Sequence, residues 1–166
     1  LIGRSHQPAD IIKAFEKSNR VGIPMVNADV IAGLPEEEPE DFADTLKKIL
    51  ELAPENITVH TLAVKRASRL VEVDKDYHYK QGERVKKMLG ISREKLSEAG
   101  YRPYYLYRQK HMAGSFENVG YCKEDTPCIY NIRIMEEHQT ILALGAGGIS
   151  KMYYPEENRL ERVPNV

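Results

Sequence analysis

The chain has 166 residues, with 24 Lys and Arg against 25 Asp and Glu and a net charge of -1, a balance that excludes a generalised nucleic-acid binder with its basic excess. At 42% apolar and 30% charged residues it is a globular chain long enough to bury a core without disulfides. No apolar run approaches the ~18 residues a membrane helix needs, and the two cysteines, Cys122 and Cys128, cannot form a disulfide framework, so a reducing, cytoplasmic setting is expected.

The chain opens on Leu1-Ile2-Gly3-Arg4 rather than on Met, and it is expected to be the C-terminal part of a longer protein. Gln7-Pro8-Ala9-Asp10 predicts a helix start, with Pro at the first helical position and Asp10 at the positive end of the dipole. Ile11, Ile12, Phe15 and Val21 form its expected stripe, and Gly22 stops it. Residues 25–31 predict a buried strand ending at Gly33-Leu34-Pro35. Glu38-Pro39 begins a second helix with Phe42, Leu46, Ile49, Leu50 and Ala53 on one stripe, ended by Pro54. Residues 57–64, rich in β-branched side chains, predict a second strand.

A basic connector over residues 65–69 leads into a helix expected over 74–99 with Val85, Met88, Leu89 and Leu96 on its apolar face. Gly82 and Gly90 weaken that helix, each costing ~1 kcal/mol relative to Ala in an interior position, and Gly100 caps it. Residues 104–107 predict a third, aromatic strand. Alternating helix and strand is the mark of a parallel sheet or barrel. From residue 113 the pattern changes. Residues 118–122 and 130–134 predict strands, and residues 152–163 a hairpin turning at Pro155-Glu156-Glu157-Asn158.

Asp29 stands out as a carboxylate inside an apolar strand just before a Gly-Leu-Pro break. Period two puts Asn27, Asp29 and Ile31 on one face, and a carboxylate there must be paired. It serves either a ligand, such as a ribose, at the carboxyl end of a strand or a structural contact. His60 is read as a general acid or base at a strand end or as a packed histidine. Cys122 and Cys128 do not match zinc or redox spacing and are read as free thiols. Gly145-Ala146-Gly147-Gly148 lacks the remainder of a phosphate-binding loop; it either approaches a ligand or makes a close turn. Residues 65–69 are a solvated connector or a clamp for a polycarboxylate. Tyr101, Tyr104, Tyr105 and Tyr107 flank a flat ligand or pack in the core.

Asn27-Ala28-Asp29-Val30-Ile31-Ala32-Gly33-Leu34-Pro35, followed by Pro39-Glu40-Asp41-Phe42 and Thr45-Leu46, resembles the radical S-adenosylmethionine (SAM) enzymes of the oxygen-independent coproporphyrinogen III oxidase type. Ile2-Gly3-Arg4, Thr58-Val59-His60-Thr61-Leu62-Ala63 and Leu142-Ala143-Leu144-Gly145-Ala146-Gly147-Gly148-Ile149-Ser150 resemble further segments of that family in the same order. Thr61-Leu62-Ala63-Val64-Lys65-Arg66, Gly120-Tyr121-Cys122-Lys123 and Tyr130-Asn131 running into Met135-Glu136-Glu137 are similar to its coproporphyrinogen dehydrogenase subgroup.

The resemblance implies an α/β fold: the C-terminal part of a partial (β/α) radical SAM barrel with parallel strands over residues 1–112, and a smaller α+β C-terminal extension over 113–166. It implies a parent enzyme that uses SAM and a [4Fe–4S] cluster to decarboxylate coproporphyrinogen III propionates oxidatively to the vinyls of protoporphyrinogen IX. Asp29 is then expected to accept hydrogen bonds from the SAM ribose, Arg4 to pair with the SAM carboxylate, and Ala63 and Ile149 to line the adenine pocket. The family's CxxxCxxC motif is missing from these 166 residues, and three thiolates are what anchor the cluster, so this portion alone is expected to be inactive. The porphyrinogen is the expected small-molecule partner, and edge-to-edge dimers are expected through an open first strand. A haem chaperone of the same superfamily and a non-enzymatic βα binding module are the competing readings.

Overall fold

The computed structural model describes residues 6–63, 81–107 and 116–165, which fall into two compact units, Leu1–Pro127 and Cys128–Val166. In the first unit the order is α1 (Pro8–Arg20), β1 (Asn27–Ala32), α2 (Pro39–Glu51), β2 (Asn56–Thr61), α3 (Gly82–Glu98), β3 (Arg102–Tyr107) and β4 (Asn118–Cys122). The helix starts follow the sequence chemistry. Asp10 accepts from the Gln7 backbone N–H at 2.8 Å and Asp41 from that of Glu38 at 3.0 Å, with Pro8 and Pro39 opening the two helices.

The four strands form one sheet in the order β1-β2-β4-β3. β1 and β2 are parallel, Asp29 opposite Thr58 and Ile31 opposite His60. β4 runs antiparallel to both β2 and β3. The three strands expected to be parallel, β1, β2 and β3, therefore point the same way, but the sheet is mixed. β4 returns from β3 and slots between β3 and β2, so β3 does not pair with β2. This groups residues 118–122 with the barrel strands, whereas the sequence reading assigned them to the extension. The expected boundary between 112 and 113 lies outside the described residues.

Alternation divides the sheet into two faces. Ala28, Val30 and Ala32 of β1, Ile57 and Val59 of β2 and Tyr121 of β4 are buried in one cluster with Phe15, Phe42, Leu46, Met88, Leu96 and Tyr101. Buried Val85, Met88, Ser92 and Leu96 of α3 recur at helical spacing. α2 and α3 also meet each other. The helices thus cover one face, and the polar residues of the strands are left on the other.

In the second unit, α4 (Ile129–Glu136) precedes a hairpin of β5 (Ile149–Tyr154) and β6 (Arg159–Pro164), joined through a 3-10 turn at Pro155–Glu157. The hairpin is where the sequence put it. The strand expected over 130–134 is a helix, because a short apolar run fits either period and the αL residue Glu137 (φ 56°) closes a helical turn. Glu137 accepts from Lys151 at 2.7 Å and Arg162 at 2.5 Å, which fastens the end of α4 to the hairpin. Both cations, Lys151 first, hold its carboxyl below the usual range.

Candidate functional site

The open face of the sheet carries a continuous set of polar side chains from all four strands. Asn27 and Asp29 come from β1, Thr58 and His60 from β2, Tyr105 and Tyr107 from β3, and Asn118 from β4. They lie together because the register pairs Asp29 with Thr58, Thr58 with Gly120, and Gly120 with Tyr105. Gly120 has no side chain for a steric reason. A Cβ there would sit 1.9 Å from Cε1 of Tyr105, so the missing side chain is what lets that ring lie across β4 toward β2.

Asp29 is the focus of the arrangement. Its Oδ1 accepts from Asn27 Nδ2 at 2.6 Å and lies 3.4 Å from His60 Nε2. The sequence reading treats this carboxylate as buried within an apolar strand. The structure leaves its side chain 61% exposed, since alternation turns it away from the core. The His60 hydrogen bond, opposed by partial burial and helped by Asn27, holds its carboxyl below the ordinary 3.8. It is therefore an ionised acceptor at neutral pH.

Two hydrogen-bonded lines support this group. In one, Thr58 Oγ1 donates to Asn27 Oδ1 at 3.1 Å and meets the Tyr105 hydroxyl at 3.3 Å. In the other, the Tyr107 hydroxyl lies 3.2 Å from His60 Nδ1, and Asn118 Oδ1 accepts from the Thr61 backbone N–H at 2.7 Å. Burial pushes the Tyr107 phenol up, which keeps it protonated. The Tyr105 and Tyr107 rings are stacked in parallel, within 2° and with centroids 6.2 Å apart. Tyr101 is instead a core residue, bonded to the Pro54 carbonyl.

Of the expected site residues, Asp29 stands on this face, and half-buried Ala63 lies two residues beyond the carboxyl end of β2. Arg4 lies outside the described residues, as does the connector over 65–69. Ile149 opens β5 in the second unit and is 55% exposed, with Leu142 and Leu144 of the preceding segment also exposed. The glycine cluster is a clasped turn: Asn165 Nδ2 donates to the Ala143 and Gly145 carbonyls at 2.9 Å each. That uses carbonyls rather than the N–H groups a phosphate cradle needs. Cys122 is buried, with its thiol pushed up, and Cys128 is half-buried. Thr58, Asn118 and Gly120 carried no site signal in the sequence, because their part follows from cross-strand register.

The chain is 40% identical over 164 residues to the oxygen-independent coproporphyrinogen-III oxidase-like protein HemZ of Bacillus subtilis, a match covering 99% of the chain and 33% of HemZ. The chain is related to the oxygen-independent coproporphyrinogen III oxidase family. Over 63 residues, 38% of the chain and 14% of the relative, it is 35% identical to the oxygen-independent coproporphyrinogen III oxidase of Escherichia coli. It is also 25% identical over 162 residues to the heme chaperone HemW of Haemophilus influenzae, covering 93% of the chain and 36% of that protein. No family model matches the chain. Its fold matches that of coproporphyrinogen III oxidase (HemN) from Escherichia coli, a radical SAM enzyme, with a TM-score of 0.58 at 19% identity, over 92% of this chain and 37% of that one. The architecture is thus α/β, part of the fold of that oxidase. The chain spans about a third of the length of the coproporphyrinogen oxidase-like and chaperone relatives that it matches throughout.

Proposed function

We propose that this chain is the part of a radical SAM oxidoreductase of haem biosynthesis that positions SAM beside a porphyrinogen, in an enzyme that converts coproporphyrinogen III propionates to the vinyls of protoporphyrinogen IX. The observation that carries the reading is the ionised, oriented carboxylate of Asp29 on the open face of the sheet, within the strand whose residues resemble the family's. An acceptor-only group of this kind fits the two hydroxyls of a ribose. Arg4 would pair with the SAM carboxylate through its guanidinium fork, and Ala63 would line the adenine. SAM, given an electron by a reduced iron–sulfur cluster, would supply the one-electron chemistry that removes hydrogen from the propionate chain.

These residues do not by themselves fit the iron–sulfur cluster. It needs three thiolates, the sequence has two cysteines, and among the described residues no group of three His, Cys, Asp or Glu side chains is placed to hold a metal. The role of this chain is to bind and orient. Asp29→Asn keeps the shape but turns one oxygen into a donor, so at least one charge-assisted hydrogen bond of roughly 1.5–3 kcal/mol is lost. SAM affinity of the full-length protein is expected to fall about ten-fold or more, measured by calorimetry, with little change in melting temperature. Unchanged affinity with a large loss of stability would make Asp29 a structural carboxylate.

A second reading rests on the match to the heme chaperone HemW, which covers 93% of the chain. Under it the open face serves a protein that carries haem. Stoichiometric haem binding without turnover of coproporphyrinogen III would support the chaperone; formation of protoporphyrinogen IX supports the oxidase.

A further inference from the structure

We propose that His60 and Tyr107 are positioning residues for Asp29: a line of hydrogen-bond donors from β4 and β3 through the imidazole that pins one carboxylate oxygen and so fixes how the carboxylate is turned toward the ribose. The inference rests on the SAM reading above and extends it to residues that reading does not use.

The argument runs through donor and acceptor counting. An ionised carboxylate can only accept, so at the 3.4 Å contact His60 Nε2 must carry the hydrogen. In a neutral imidazole Nδ1 is then an acceptor. The Tyr107 hydroxyl, 3.2 Å from Nδ1, must donate. Asn118, whose Oδ1 is occupied by the Thr61 N–H, bonds Tyr107 through its amide nitrogen, consistent with its lowering effect on that phenol. With the hydrogen on Nε2 and Nδ1 accepting, the order from backbone to carboxylate is Thr61 N–H, Asn118, Tyr107, His60, Asp29.

The second line, from Tyr105 through Thr58 and Asn27, also ends at Asp29. Thr58 Oγ1 donates to Asn27 Oδ1, meets the Tyr105 hydroxyl and helps to lower the Asp29 carboxyl. The two contacts with assigned atoms, from Asn27 and from His60, both end on Oδ1. Oδ1 thus takes the donors from Asn27 and His60, which fixes how the carboxylate is turned toward a diol. His60 is 26% exposed at its side chain and Thr58 is buried, so the supports are drier than the group they hold and keep its orientation against water. Such outer groups make a ligand-binding carboxylate rigid before the ligand arrives.

The test is a double-mutant cycle on SAM affinity of the full-length protein, with melting temperature recorded for every variant. His60→Phe removes both ring nitrogens and is expected to weaken SAM binding about three- to ten-fold, a modest effect because the Asp29 contact is long. His60→Gln, which restores an N–H donor, is expected to recover most of the loss, and Tyr107→Phe to weaken binding about two-fold. In an Asp29→Asn background His60→Phe should add less than two-fold, since its effect passes through the carboxylate. Full affinity in His60→Phe, or the same loss in both backgrounds, overturns the positioning role while leaving the SAM reading intact. Full affinity in Asp29→Asn overturns the SAM reading itself. If His60→Phe does not fold, Tyr107→Phe decides the question, and a loss additive with Asp29→Asn counts against the proposal.

Discussion

Tyr101 ties the end of α3 to the loop before β2, and its titration sets how the first unit responds to alkali. The side chain is 3% exposed and its hydroxyl donates to the Pro54 carbonyl at 2.5 Å. Burial, helped by the charge of Glu55, pushes its pKa from 10.0 up to about 12. The folded state therefore keeps this proton where the unfolded chain has lost it. Stability from this group is fully present below pH 10 and is lost as pH rises from 10 toward 12, by at most roughly 3 kcal/mol. Tyr101→Phe is expected to cost about 1 kcal/mol at pH 8, where the hydrogen bond is lost. Between pH 10 and 12 the gap between the two proteins should close and then reverse, because phenylalanine has no proton to lose. Denaturant melts at both pH values check this; a gap that stays constant would mean the phenol ionises alike in both states. Asp29 has the opposite sign. Its lowered carboxyl gives stability above 3.8 that is lost as pH falls through its folded value, and with the side chain 61% exposed the effect on folding is small.

The helices of the first unit end in two ways, and the difference predicts which end is strained. At α1 and α3 a glycine takes the left-handed position, Gly22 at φ 72° and Gly100 at φ 82°. The next residue closes the turn: Ile23 N–H donates to Ser18 O at 3.0 Å and Tyr101 N–H to Leu96 O at 2.9 Å. At α2 the same position is held by Ala53 at φ 52°, where a Cβ costs roughly 1–2 kcal/mol. Ala53→Gly is expected to stabilise by about 0.5–1 kcal/mol and Gly100→Ala to destabilise by about 1 kcal/mol or more, both read from urea unfolding. Equal and negligible effects would show that neither end resists the left-handed turn. Capping chemistry of this kind is local and was legible in the sequence, as were the starts of α1 and α2. Partnership was not: Ile11, Ile12 and Val21 share the expected stripe of α1, yet only Phe15 is buried among the described residues of that helix. Periodicity says which residues face one way, but not whether anything covers them. Gly82 proved to be the first residue of α3, so it carries no interior cost.

At the scale of the whole sheet, the sequence supplied the polar alternation of β1 but not the neighbours that complete the site. Asn27 and Asp29 share a face by period alone. Thr58 joins them through the parallel pairing of β1 with β2, and Tyr105 and Asn118 only because β4 enters antiparallel between β2 and β3, a matter of strand order that no local pattern encodes. The same order leaves β1 at the margin, hydrogen-bonded among the described residues to β2 alone. In a parallel ladder each residue turns its N–H and C=O to one side, and the side alternates. Val26 and Ala32 accept from Asn56 and Leu62, so even-numbered residues of β1 face β2 and Asn27, Asp29 and Ile31 face outward. Amide hydrogen exchange of the 166-residue chain at low concentration is therefore expected to be slow at Ala28, Val30 and Ala32 and fast at Asp29 and Ile31. An unpaired row of this kind is a template for another strand, so we expect the fast set to become protected as concentration rises, with a matching increase in sedimentation coefficient. Equal protection of both sets in dilute solution would show that the outer edge of β1 is already covered, and protection that never changes with concentration would rule out pairing through it.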